Sequence, residues 1–304
     1  LHSYPWRVKQ FPINTLTMAA LGWERYHVDV MQTPAEDKKE QIGALGWDGP
    51  LAALSKTRVN VADYFKEVVA VVTNPAIDRE REVAQFSTRM VIGARPPLNG
   101  VMPAHEFSVS LETPFLVGGH DALGDIDMLR TVAQKYGTMV LEDLLDVFGD
   151  RAVILNTSAA PDESIEDAVE RVAADAVEAV RNGALCVVLD DNDALDGQRF
   201  WLDPTVIVAA VDGALRDAYN ADGISLRRKA GVVLRSGALR DLHDMAVCVS
   251  FGANAIVPYA TYAVGLGLAP KAAQPPLDNN AAQKALSNMV DVLTKGIQKV
   301  TSTI

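Results

Sequence analysis

The sequence predicts an α/β fold: a rudimentary or incomplete (β/α) TIM-like barrel with parallel strands. From about residue 126 onward, helical patterns and short apolar runs take turns, which is typical of parallel β/α units with right-handed crossovers. The run LCVVL at 185–189 is apolar throughout, as expected of a strand that is buried on both faces. We count about six strand candidates, fewer than the roughly eight strands of a closed barrel.

The strongest helical pattern covers residues 165–181, where apolar side chains form one stripe. Asp162 or Ser164 is expected to cap its start, and Gly183 to end it. Asp203 followed by Pro204 opens another helix, since proline suits the first helical position. The remaining predicted elements are strands at 107–111, 231–234 and 255–257, a turn at 236–237 and a helix at 239–249.

Composition excludes several classes of partner. The net charge of −11 and a pI near 4.9 argue against nucleic acid or an anionic membrane, because both attract a basic surface. Cys186 and Cys248 lie in apolar runs and are expected to be small core residues, which fits a cytoplasmic protein. Residues 245–270 carry no charge and are long enough to span a bilayer, but glycines and Pro258 interrupt them. We therefore expect a buried helix, a strand and a further element there.

The stretch 63–82 predicts a helix, a break at Thr73-Asn74-Pro75 and a second helix capped by Asp78. Proline lacks a backbone donor and forces the residue before it out of the helical region. The last carbonyls of the first helix, around Val72 and Thr73, would therefore lack partners within the helix. An ordinary helix–helix corner has the same features. Another reading is a functional loop that offers a cluster of backbone acceptors at one point.

This stretch resembles the central domain of the glutamate synthase large subunit. The family's Tyr-Phe-Lys, Val-Thr-Asn-Pro, Ile-Asp and Arg-Glu recur here in the same order, at 64–66, 72–75, 77–78 and 81–82. The similarity covers about residues 45–304 and is strongest at 45–82 and 165–262. It has departures, since the family usually has glutamate where Arg235, Ala238 and Asp241 stand, and histidine where Asp244 stands.

Ser236-Gly237 is a candidate vestigial phosphate loop. The strand, glycine turn, helix and strand around it resemble the last units of FMN-linked (β/α)₈ oxidoreductases, whose loops hold the flavin phosphate on backbone N–H groups. Here the second loop contains Pro258, which has no N–H to donate. Two alternatives therefore remain. One is a packed β/α/β unit that binds no ligand, and the other is an independent degenerate barrel that binds a phosphorylated ligand or flavin.

Two acidic clusters are candidates for acid–base catalysis or metal binding. Asp190 and Asp191 follow a strand, where barrel active sites lie and where paired acids can perform acid–base catalysis, but Asn192 onward also favours a plain turn. His243 has Asp241 and Asp244 beside it, yet the i, i+4 spacing of helical metal ligands is absent. The prediction is no catalytic residue and no metal site in this chain.

The resemblance implies the following function. In that family a glutamine amidotransferase domain precedes the central domain, and an FMN barrel with an iron–sulfur cluster follows it. The central domain links the glutaminase and synthase sites, binds no cofactor and borders the ammonia tunnel. Carried over to this chain, the tunnel-lining or interdomain residues are Thr73, Asn74 and Ile77. Activity is expected only in the full oxidoreductase, which makes two glutamates from glutamine and 2-oxoglutarate.

The resemblance also predicts the domain organisation. Residues 1–294 would form the central domain, with 1–44 as a lead-in segment, and 295–304 would be the first residues of the FMN-binding domain. The chain begins at Leu1 rather than methionine, so we expect a piece of a longer protein. A module of an unrelated assembly remains a further alternative, given the substituted acids.

Overall fold

A computed structural model describes most of the chain: residues 4–8, 13–39, 60–65, 78–96, 102–195, 198–268 and 277–303. Its N-terminal part is mainly helical and ends in a hairpin. The elements are α1 (Pro5–Val8), α2 (Thr15–Ala20), α3 (Arg25–Asp37), α4 (Arg79–Gln85), β1 (Met90–Gly93) and β2 (Ser108–Leu111). The strand predicted at 107–111 is confirmed as β2, but it pairs antiparallel with β1 and lies outside the parallel sheet.

The helix predicted to begin at Asp63 is wrong for the residues that can be compared. Val61–Tyr64 form a single 3₁₀ turn, and Phe65 is already extended, with ψ at 142°. The remainder of that predicted helix lies outside the described residues. The cap prediction is confirmed, because Asp78 accepts a hydrogen bond from the Arg81 N–H at 2.9 Å and starts α4.

The centre of the fold is a four-stranded parallel sheet. Its strands, in spatial order, are β3 (Ala152–Asn156), β5 (Cys186–Asp190), β7 (Gly231–Arg235) and β8 (Ala255–Val257). Two short strands, β4 (Ser158–Ala159) and β6 (Phe200–Trp201), form a separate antiparallel ribbon. Every residue of β5, β7 and β8 is buried, as the continuous apolar runs of these strands predict.

Beyond β8 the parallel order continues through isolated bridges. Phe115 pairs with Ile256, and Val117 pairs with Val140, both in parallel orientation. Six parallel segments thus follow one another around an arc, ending at β3 on one side and at Val140 on the other. Among the described residues no pairing joins these two ends. The prediction of an incomplete barrel is therefore confirmed.

Helices cover the outer face of the arc, as crossovers between parallel strands require. They are α5 (Ile126–Lys135), α7 (Ile165–Arg181), α8 (Pro204–Asp217), α9 (Leu242–Ser250), α10 (Tyr259–Gly265) and α11 (Asn279–Thr303). The exception is α6 (Leu141–Phe148), which packs in the same core cluster as Ile92 and Trp6. The predicted bounds of α7 are confirmed, with Ser164 as its cap. The helix predicted at 239–249 begins later, because Asp241 is its N-cap and the Arg240 N–H donates to Asp244 instead.

The inner face of the arc is filled rather than open. Cys186, Val188 and Val233 pack there against the hairpin residue Ile92 and against Trp6 from α1. A Cβ atom on Gly231 would lie 2.7 Å from Ile92 Cγ2, so β7 needs glycine where the hairpin crosses it. The hairpin and α1 thus occupy volume that the missing strands leave.

The described residues of the uncharged run, 245–268, include most of α9 and all of β8 and α10, as predicted, and α9 and β8 pack into the core. In the part of the chain that the structure describes, no helix is long and apolar enough to cross a membrane. Cys186 and Cys248 are buried free thiols, which confirms the core assignment. One helix, α11, runs without interruption across the boundary predicted after residue 294.

Candidate functional site

The candidate site lies at the carboxyl edge of the sheet, where (β/α) barrels bind their ligands. Three strand ends meet there: Asp190 ends β5 and Asp191 follows it, Arg235 ends β7 ahead of the Ser236-Gly237 turn, and Tyr259 follows β8. The register places Asp190 directly opposite Arg235. All of these side chains are buried.

The Asp191 carboxylate occupies the predicted phosphate loop. Its Oδ2 atom accepts hydrogen bonds from the Gly237 N–H and the Ser236 hydroxyl, each at 2.8 Å. Its Oδ1 atom accepts a third from the Tyr259 hydroxyl at 3.2 Å. A backbone N–H and two hydroxyls are the donors that bind a phosphate elsewhere. Here they are directed at an anion that belongs to the chain.

Arg235 completes the network, with only 1% of its surface exposed. One of its nitrogens, Nη1, lies 2.6 Å from Asp190 Oδ1 and 3.7 Å from Asp191 Oδ1, and its Nε donates to the Gly119 carbonyl at 2.7 Å. The guanidinium lies between two rings, 4.2 Å from the centroid of Tyr259 and 4.8 Å from that of Trp6. Such stacking stabilises a desolvated cation.

Trp6 covers this cluster from the N-terminal segment. Its indole is fully buried, and its Nε1 donates to Glu142 Oε1 at 3.0 Å. The same carboxylate oxygen accepts from the Gly119 N–H at 3.1 Å, so one acid holds both Trp6 and the loop beside Arg235. Tyr4 stacks on Trp6 with ring centroids 5.4 Å apart. The mouth of the incomplete barrel is therefore occupied by side chains of the chain itself.

The electrostatics of the cluster follow from two carboxylates sharing one guanidinium in a buried place. Burial raises the pKa of Asp190 to about 6, with Arg235 opposing the shift and Asp191 adding to it. Burial likewise raises the pKa of Asp191. The structure thus brings the predicted acid pair together. Its carboxylates, however, are already bound by Arg235, the Ser236-Gly237 turn and Tyr259.

Metal and thiol chemistry find no support in the described part of the chain. It contains no group of three or more His, Cys, Asp or Glu side chains placed to hold a metal ion. His243 Nε2 donates to the Ala62 carbonyl at 2.8 Å instead. Burial raises the pKa of the Cys186 thiol to about 12 and also raises that of Cys248, so neither is a ready nucleophile.

A second buried cluster fixes the 3₁₀ turn at 60–65. Arg240 binds Asp244 through Nε at 2.8 Å and Asp63 through Nη2 at 2.8 Å. The Val61 N–H donates to Asp203 Oδ2 at 2.8 Å. The stretch beginning at residue 63 and residues 240–244, which are far apart in sequence, therefore meet in space.

The far side of the same stretch is fixed to α11. Gln298 Nε2 donates to the carbonyls of Glu82 and Phe86, at 3.2 and 2.7 Å. The Ser302 hydroxyl lies 3.1 Å from Glu82 Oε1. Both flanks of residues 66–77 are thus held by the body of the domain. The predicted site residues Thr73, Asn74 and Ile77 themselves lie outside the described residues.

Sequence reasoning missed the central ion pair and its cover. The Asp190–Arg235 pair could have been found, because each residue directly follows a predicted apolar strand and the two strands were predicted to be parallel. Trp6 could not, because nothing local in residues 4–8 indicates which part of the fold they contact. The same holds for the pairing of Asp63 with Arg240, which are far apart in sequence.

The fold and the filled mouth define a class: an incomplete β/α barrel whose ligand-binding edge is closed by its own residues. A family model described as the glutamate synthase central domain matches residues 17–304, and the chain belongs to this family. It is 32% identical over 242 residues to the ferredoxin-dependent glutamate synthase of Oryza sativa. The aligned region covers 79% of the chain and 14% of that protein.

Two further relatives extend the comparison. The glutamate synthase [NADH] of Schizosaccharomyces pombe is 27% identical over 287 residues, covering 94% of the chain and 13% of that protein. The glutamate synthase [NADPH] large chain of Bacillus subtilis is 28% identical over 241 residues, covering 79% and 14%. The chain thus spans about 14% of the length of the first of these relatives.

Proposed function

We propose that this chain is the non-catalytic scaffold of a glutamate synthase. It links the glutaminase and synthase sites of an enzyme that converts glutamine and 2-oxoglutarate into two glutamates. The observation that carries the proposal is the occupied mouth of the barrel, where the Asp191 carboxylate takes the donors of Ser236 and Gly237. A domain whose binding edge is filled serves by holding its neighbours in place.

The neighbours in this proposal are a glutamine amidotransferase domain and an FMN-binding domain of the same polypeptide. FMN and an iron–sulfur cluster belong to the latter, and this segment itself binds neither. Family membership and the small share of each relative that the chain spans support this arrangement.

The proposal includes a border of the ammonia path at Thr73, Asn74 and Ile77. Two structural facts support this proposal, and both concern the described residues that flank the stretch. Its start is tied to α9 through Arg240, and its end is tied to α11 through Gln298. A path wall needs such fixed ends, because ammonia must be guided without a gap opening between two sites.

The experiment uses the full-length enzyme and the substitution Pro75→Leu. Restoring a backbone N–H at this position changes which carbonyls are free, so ammonia transfer should suffer. We expect more glutamine to be hydrolysed per glutamate formed, while each half-reaction keeps its own rate. Thr73→Val is the matched control, because it leaves the backbone unchanged and should keep the wild-type ratio. An unchanged ratio in Pro75→Leu would refute the tunnel role.

A further inference from the structure

A cavity lies at the end of the sheet opposite to the carboxyl edge, where the strands begin. It has a volume of about 410 Å³. The apolar part of its wall is formed by Val180 of α7, Leu185 ahead of β5 and Leu226 ahead of β7, and Tyr219 also lines it, with 58% of its surface exposed. This size and lining suit a small organic molecule.

Cationic groups surround this cavity. Arg151, Arg181, Lys229 and His105 all line it. Lys229 forms an ion pair with Glu106 at 2.7 Å, so these two charges cancel. Arg151 uses one nitrogen to donate to the His105 carbonyl, which leaves the rest of its guanidinium for a ligand.

Arg181 stands in the last turn of α7 and is exposed. It forms no ion pair with any residue that the structure describes. The cavity therefore carries the positive charge of two guanidinium groups on a chain whose net charge is −11. Guanidinium groups favour carboxylates, sulfonates and phosphates, to which they can donate two parallel hydrogen bonds.

The positive character is local. A neighbouring cavity of about 330 Å³, between α7 and β3, is lined by Asp150, Asp175 and Glu178 and would repel an anion. The C-terminal end of α7 also brings a partial negative charge, equivalent to roughly half a unit, toward the cavity at the start of the strands. Two full guanidinium charges exceed this, and Arg181 itself offsets the helix end.

We propose that the cavity at the start of the strands binds a small organic anion with an apolar body, such as an aromatic sulfonate or carboxylate. The apolar wall takes the body of the ligand, and Arg151 and Arg181 take its anionic group. This site is separate from the carboxyl edge of the sheet and does not depend on the scaffold role.

The test titrates this chain with 8-anilinonaphthalene-1-sulfonate, whose fluorescence rises in an apolar site. The variants are Arg181→Glu and, as a control with the same change of net charge, Lys284→Glu on the exposed face of α11. The uncharged analogue N-phenyl-1-naphthylamine is titrated in parallel. Far-ultraviolet circular dichroism verifies that each variant keeps the wild-type fold.

We expect saturable binding of one sulfonate per chain. Arg181→Glu should weaken it by about tenfold or more, because an attraction becomes a repulsion at contact distance. Lys284→Glu should leave it unchanged, and the uncharged analogue should not distinguish the proteins. Equal sulfonate affinity in Arg181→Glu and wild type, equal weakening by Lys284→Glu, or an absence of saturable binding to the wild type would each overturn the proposal.

Discussion

Replacing Asp191 with alanine removes the anion that fills the loop at the carboxyl edge. Three donors lose their acceptor: the Gly237 N–H, the Ser236 hydroxyl and the Tyr259 hydroxyl. Arg235 keeps Asp190, at 2.6 Å, as its main partner. The guanidinium therefore stays paired, and the loss falls on the loop.

The magnitude follows from these contacts. A buried donor left without an acceptor costs about 1–3 kcal/mol, and three of them set an upper limit near 9 kcal/mol. Two effects reduce this figure: the buried charge of Asp191 is removed, and water can enter the space of a lost carboxylate. We expect a net loss of about 3 kcal/mol in the free energy of unfolding. For a chain of 304 residues that lowers the melting temperature by about 5 °C.

The assay is thermal and urea unfolding at pH 7.5, with and without added formate. Formate should restore part of the lost stability in Asp191→Ala, because it supplies the missing carboxylate to the same donors. Asp175→Ala is the control, since that carboxylate is 48% exposed and its contact with Arg171 is long, at 3.9 Å. A melting temperature of Asp191→Ala within about 1 °C of the wild type would refute this reasoning.

Three further predictions concern the surrounding structure. Trp6→Ala should destabilise the chain by about 3–5 kcal/mol in urea unfolding, because a fully buried indole is lost; a change below about 1 kcal/mol would show that Trp6 does not seal the mouth. Arg240→Ala should speed hydrogen exchange at residues 60–65 while the amides of β5 stay protected, since it unties Asp63; uniform exchange would contradict this. The stability of Asp241→Asn relative to the wild type should rise by up to about 4 kcal/mol between pH 4 and 7, measured by urea unfolding, because it keeps the N-cap and removes a disfavoured charge.

The sign of the last prediction follows from linkage. Burial, and then the neighbouring Asp244 carboxylate, raise the pKa of Asp241 to about 7, against about 3.9 when unfolded. Between these values the folded chain holds a proton that the unfolded chain has released, so wild-type stability falls as the pH rises from about 4 to 7. The advantage of Asp241→Asn should therefore grow across that window and stay level above it. A difference independent of pH would contradict the assignment.

Most of the fold could be predicted from local pattern. A few neighbouring residues suffice to predict three elements: the apolar stripe predicts α7, the apolar run predicts β5, and Asp203-Pro204 predicts the start of α8. The start of α9 could not, because the Arg240 N–H is held by a side chain four residues later, and this delays the helix. The 3₁₀ turn at 61–64 is likewise set by Asp203, a distant residue.

The site was predicted less completely than the fold. Ser236, Gly237 and the acids after β5 were found, since strand ends are recognisable and parallel strands bring them together. That Asp191 fills the loop depends on side-chain directions, which no spacing specifies. The placement of Trp6 over Arg235 depends on a contact between two residues that are far apart in the sequence, which no local pattern predicts.

Titration of this chain with FMN shows whether the binding edge of the barrel is filled by the chain's own residues. Isothermal calorimetry on this chain, with riboflavin as the control that lacks a phosphate, should detect no saturable heat for either ligand up to millimolar concentration. Tight binding of one FMN per chain, lost in Gly237→Asp, would contradict the account, because it would require the donors of Ser236 and Gly237 to be free for a phosphate.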